Sequence, residues 1–226
     1  MNHFVFSAFL TFVSSFSTGI YFVCKPYPKA RILGAYWLTI AFWSFTVGLQ
    51  FQLLRLIPDT IWGWFLHLGC VYIPAVFFHF ATRYSGYDKK SWAVLWNYLL
   101  ATFFILLNTF TPFFTQGTVY RDHYAYPRPA LVYPVYFIFF VTTVCWGTFL
   151  LFKSSASLPQ IYRNGLFLFL LLNLLAYSGA MDNFLIMADI RVFPLYPFGL
   201  YLVPPYVVLG SFALKRSLSP DPVRKA

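Results

Sequence analysis

Residues 166–186 read LFLFLLLNLLAYSGAMDNFLI. This run is long enough to cross a hydrocarbon core about 30 Å thick, which takes roughly 20 apolar residues in a helix. Six more runs of the same kind surround it. The seven expected helices fall at about 4–23, 30–54, 60–82, 92–110, 130–152, 164–187 and 194–214. The expected fold is therefore all-α, a polytopic membrane bundle forming one domain over residues 1–226.

Composition agrees. Hydrophobic residues make up 60% of the chain and charged residues 10%. The charged share of a soluble domain is about 25%. Aromatic residues reach 23%, and they favour membrane–water interfaces. All six acidic residues are Asp. The net charge of +10 does not indicate nucleic acid, because the basic residues sit singly or in pairs at helix ends. There they serve as topology anchors and as contacts to anionic lipid.

Charge also sets an expected orientation. Lys25, Lys29 and Arg31, then Arg83, Lys89 and Lys90, then Lys153 and Arg163, then Lys215, Arg216, Arg224 and Lys225 belong to one side. The opposite loops are poorer in Lys and Arg. Positive residues favour the cytoplasm, so the N-terminus is expected outside and the C-terminus inside. An odd number of spans agrees. Residues 4–23 lack the basic start of a signal peptide and read as helix one. The segment 112–129, PFFTQGTVYRDHYAYPRP, falls on the expected outer side. Its Tyr and Pro content suggests a packed cap, with a plain surface loop as the alternative.

Candidate chemistry is sparse. Cys24, Cys70 and Cys145 are scattered, with neither zinc spacing nor a disulfide framework. A retinal lysine would belong midway along the last helix, and Lys215 lies at its end. His67 and His79 sit on one helix, roughly 18 Å apart along its axis. That excludes a bis-histidine haem between helices. Neither catalytic residues nor metal ligands emerge, and the sequence names no cofactor. No enzyme is expected.

Proline and amide residues carry more. Pro204 and Pro205 fall in mid-helix seven as expected from the sequence, where missing N–H groups would free the carbonyls of Leu200 and Tyr201. Pro74 would do the same to Cys70 in helix three. Pro134, one turn into helix five, is a start signal. Kinks at Pro74 and Pro204–Pro205 either open a small polar cavity or only shape the packing. On helix six, Asn173 calls for an interhelical hydrogen-bond partner. Asp182 and Asn183 belong near the outer surface, as interfacial groups or as a pocket wall. His67, His79, Asn173, Asp182, Asn183 and Tyr201 form the candidate ligand-binding set.

Three segments carry a family resemblance. They are AYWLTIAFWSFTVGLQFQLLRLIPD with Trp43, HLGCVYIPAVFFHFATRYSGYDKK with Pro74 and the Tyr84-Ser85-Gly86 turn, and GAMDNFLIMADIRVFPLYPFGLYLVPPYVVLGSFALKR with Asp182, Tyr196, Pro197 and Gly199. Their order and spacing resemble the seven-helix sensor region at the N-terminus of many bacterial histidine kinases. The likeness covers most of residues 30–216. It implies a bacterial inner-membrane sensing module in contact with lipid, acting through a partner protein. In that family an output domain follows the last helix, whereas SLSPDPVRKA follows it here. An alternative expectation is therefore a non-catalytic accessory subunit of a larger membrane complex, energy-converting or photosynthetic, packed on protein, lipid, quinone or pigment.

Overall fold

The computed structural model describes residues 3–53, 59–87, 92–121, 124–187 and 199–218. Among them lie seven α-helices and one hairpin. The helices are α1 (His3–Val23), α2 (Pro28–Leu53), α3 (Asp59–Ser85), α4 (Trp92–Phe110), α5 (Tyr133–Ser155), α6 (Gln160–Met187) and α7 (Val203–Leu218). A 3-10 turn, Gly199–Leu202, leads into α7. The first six helices are long and apolar enough to cross a membrane. The protein is a polytopic membrane bundle.

Pro134 stands at the start of α5, where its fixed φ suits the first turn. Helix seven differs from expectation. Pro204 and Pro205 lie in the first turn of α7, not in its middle. A first-turn N–H has no partner within its helix, so two prolines there break no helical bond. The mid-helix kink expected at helix seven is thus replaced by a change of helix type. α7 alone is about 24 Å long and the 3-10 turn adds about 8 Å, so together they approach a full crossing. Of the expected helix 194–214, residues 194–198 lie outside the described set. In α3 the helix runs unbroken through Pro74.

α3 is the centre of the bundle and α4 its edge: 78% of the spanning window of α3 is buried, against 11% for α4. Tyr36, Trp37, Phe77, Phe80, Tyr136, Phe169 and Tyr206 are fully enclosed and fill the space between α2, α3, α5, α6 and α7. Large aromatics dominate this core because each buries about 150–250 Å² in one rigid piece.

Backbones touch where glycines allow it. A Cβ on Gly165 would meet the Ala213 carbonyl oxygen at 2.4 Å, and one on Gly179 would meet that of Gly199 at 2.5 Å. These contacts press α6 onto the 3-10 turn and α7. On the other side, Gly34 packs against the backbone of α1 at Gly19 and Val23.

The segment after α4 forms an antiparallel hairpin, β1 (Thr115–Arg121) with β2 (Tyr124–Pro129). No strand was expected there. Gly117, at φ +69°, sits in the irregular register between Thr115 and Thr118. That left-handed backbone is open to glycine without strain. The hairpin closes one end of the bundle: Phe114 beneath it is fully buried, and Pro127 faces Gly63 of α3. The segment is a packed cap.

The opposite end is basic. The Lys25 ammonium lies 4.1 Å from the Tyr21 ring centre and that of Lys215 lies 5.8 Å from the same ring. Lys29 sits over Tyr84 and donates to its carbonyl at 3.1 Å; Lys153 lies over Tyr87. Cations over aromatic faces are held by the ring quadrupole.

Candidate functional site

α2, α3, α5, α6, α7 and the hairpin enclose a cavity with about 60 Å³ open to the centre of a water molecule. Its longest wall is on α2. Tyr36, Ile40, Trp43, Val47 and Gln50 recur every three or four residues, so they share one helix face. From first to last they cover about 21 Å of axis. Ala176 and Ala180 of α6 supply small side chains along the opposite wall. The middle is apolar, and polar groups gather at the two ends.

At the hairpin end stand Gln50, His67, Tyr126 and Tyr133. His67 is 1% exposed. Its Nδ1 lies 2.7 Å from the carbonyl of Gly63, which only accepts, so Nδ1 carries the proton. Nε2 is then the acceptor and faces the Tyr133 hydroxyl at 3.4 Å, a long contact. Phe114, Tyr133 and Tyr136 box the imidazole edge-on, with ring centres 5.1, 5.6 and 6.4 Å away. Beside it the Tyr136 hydroxyl donates to Cys70 Sγ at 3.2 Å.

At the other end three tyrosines and an asparagine form one chain. Tyr206 donates to Asn173 Oδ1 at 2.6 Å. Its single proton is then used, so Tyr36 donates to Tyr206 at 3.2 Å. By the same count Tyr177 donates to Tyr36 at 3.0 Å. Asn173 Nδ2 completes the chain by donating to Thr148 at 3.3 Å. The order Tyr177, Tyr36, Tyr206, Asn173, Thr148 crosses α6, α2, α7, α6 and α5. Bonds aligned head to tail in this way polarise one another.

Of the residues singled out from sequence, His67 lines the cavity and Asn173 anchors the tyrosine chain beside it. His79 is placed elsewhere: its Nδ1 meets the Tyr98 hydroxyl of α4 at 3.1 Å. Tyr201 turns towards α1, where its hydroxyl donates to the His3 carbonyl at 3.3 Å. Asp182 and Asn183 lie on α6, but their side chains fall outside the described residues, as do Tyr196 and Pro197. Pro74 lies one position beyond the lining residue Ile73, while Pro204 and Pro205 follow Val203 in the first turn of α7. Among the described residues no cluster of three His, Cys, Asp or Glu side chains comes together to hold a metal.

Tyr36, Tyr177, Tyr206, Tyr133 and Gln50 escaped the sequence reading. The three-four recurrence along α2 was the available signal, but it is shared by any buried helix face.

A bundle of apolar helices, six of them long enough to cross a membrane, around a cavity with hydrogen-bonding groups at both ends defines a polytopic membrane helix bundle as the class. The particular family follows from residues 6–215, which match the model of the N-terminal 7TM region of histidine kinase. The chain belongs to that family. No curated protein matches it.

Proposed function

We propose that this seven-helix region senses a small or lipid-like molecule bound in the cavity and passes the event on through α7. The observation that carries the reading is the cavity itself. It is walled by five helices of a sensor-family bundle, and the tyrosine chain at its floor includes a residue of the last helix. A ligand bound beside Tyr36 and Tyr177 disturbs the bonds Tyr177 makes to Tyr36 and Tyr36 makes to Tyr206. Losing the Tyr36–Tyr206 bond frees α7 to shift against α2. The signal then reaches a partner chain, or a domain joined after α7. The N-terminus faces outside and the C-terminus the cytoplasm of a bacterial inner membrane. The basic end formed by Lys25, Lys29, Lys153 and Lys215 supports this orientation. The residues nominated for contact are His67, Tyr133, Tyr36, Tyr177 and Tyr206. Surrounding lipid and a membrane protein are the partners.

The test is a plug. Ala180→Phe fills the slot from α6, and candidate molecules are screened by thermal shift on wild-type and variant protein in nanodiscs. Ligands that stabilise wild-type but not the plugged protein support the reading. Equal shifts in both overturn it.

One observation favours a second reading, an accessory or scaffold role in a larger assembly. The exposed residues Trp92, Trp96, Leu99, Phe103, Leu106 and Phe110 of α4 recur at four-three spacing, as a helix-packing seam does. Purification in mild detergent distinguishes the two. A stoichiometric partner that protects α4 supports the assembly role, and a monodisperse monomer counts against it.

A further inference from the structure

We infer that the cavity takes an uncharged, straight-chain amphiphile, a single alkyl chain ending in a hydroxyl group. This rests on the sensing role proposed above and names the chemical class of the ligand. Three features of the slot lead there.

The first is shape. The lining residues of α2 run from Tyr36 to Gln50, about 21 Å along the helix, so the site is long. Aromatic and branched side chains wall it and two alanines of α6 leave the gap. An unbranched chain matches that length.

The second is charge. The polar groups at its ends are hydroxyls, an amide and an imidazole, namely Tyr36, Tyr177 and Tyr206 at one end and Gln50, His67 and Tyr133 at the other. Among the described lining residues there is no Lys, Arg, Asp or Glu. An ionised head group brought into such a site loses its hydration and meets no counter-charge among the described lining residues, which is strongly unfavourable. A hydroxyl loses far less.

The third is hydrogen-bonding sense. His67 presents Nε2 as an acceptor, since Nδ1–H is committed to Gly63, and its contact to Tyr133 is long at 3.4 Å. A hydroxyl donor fits that nitrogen better than the existing contact does. At the far end the directed chain starts at Tyr177, whose oxygen takes no proton from Tyr36 and so offers a lone pair to a donor.

Photolabelling tests this on the full chain in nanodiscs. The probes are a straight-chain dodecanol carrying a diazirine, the matching carboxylate kept ionised, and the matching trimethylammonium. Crosslinks are mapped by peptide mass. The alcohol is expected to label cavity residues such as Trp43, Cys70 and Tyr177 saturably. Unlabelled dodecanol competes, and the two charged probes label the same residues at least about tenfold less. Ala180→Phe, and independently Ala176→Phe, are expected to abolish cavity labelling while leaving that of the exposed Phe212 unchanged. Unfolding midpoints near wild-type show that the plugged variants still fold. Equal or better labelling of the cavity by either charged probe overturns the inference and leaves the sensing role standing. Labelling confined to lipid-facing residues and indifferent to both plugs also overturns it. In that case the sensing role survives only if the thermal-shift screen finds a ring-shaped or charged ligand that the plugs exclude.

Discussion

The hydroxyl of Tyr206 donates to Asn173 and accepts from Tyr36, so one oxygen joins α7 to both α6 and α2. Tyr206→Phe removes both bonds and leaves the Asn173 oxygen enclosed. Hydrogen bonds between membrane helices are worth roughly 0.5–2 kcal/mol each. The variant should lose about 1–3 kcal/mol, read from unfolding in mixed micelles. Asn173→Leu added to it should cost less than the two single changes summed, because the stranded partner disappears too. Full additivity would mean the bond does not exist. The sequence allowed Asn173 to be marked as needing a partner, since an amide in the middle of an apolar run cannot stay unbonded in lipid. It did not allow the partner to be found. Tyr36 and Tyr206 are 170 residues apart, and in a chain with 17 tyrosines a hydroxyl that bonds looks like any other. His67 stood out for the same reason as Asn173. His79 shared its chemistry but faces α4, a difference set by which helices flank α3 and not by residue type.

Two elements show how apolar runs were read well and their internal detail less so. Six helices follow the apolar runs because length and hydropathy suffice to define them. The seventh begins later than its apolar run, since a run records affinity for lipid and not backbone type. Pro204 and Pro205 therefore looked like interior prolines, although they open α7. Pro204→Ala should change stability by less than about 1 kcal/mol, because no helical bond depends on the missing N–H. A gain of several kcal/mol with increased helicity by circular dichroism would place the proline in an interior turn after all. Glycines give a sharper contrast. Gly165→Ala and Gly179→Ala each force a methyl into a carbonyl oxygen at 2.4–2.5 Å and should cost about 1–3 kcal/mol. Gly48→Ala meets nothing nearer than the Ala8 side chain at 3.6 Å and should be neutral or slightly stabilising. Equal effects at all three positions, measured by thermal denaturation, would show that α6 and α7 do not approach so closely. The hairpin was not foreseen as strands because its alternation is weak and Pro-rich.

At the scale of the molecule, two differently built ends frame one slot. The basic end carries lysines over tyrosine rings and the other is closed by a hairpin. The proposed orientation rests on the first and is open to direct measurement. Cys24 lies just past α1 at the basic end and is exposed. In intact cells a membrane-impermeant maleimide should leave Cys24 unlabelled, and inverted vesicles should label it. Labelling from outside would reverse the proposed orientation. The class of bundle was legible because every run had to satisfy the bilayer separately. The slot was not, because it arises from five helices that only meet once the bundle is assembled. The points where α6 touches the last segment, Gly165 on Ala213 and Gly179 on Gly199, are spaced equally along both partners. They act as two bearings on one shaft. Tilting is blocked at either bearing, so the travel left to the shaft is to slide along its axis or to turn about it.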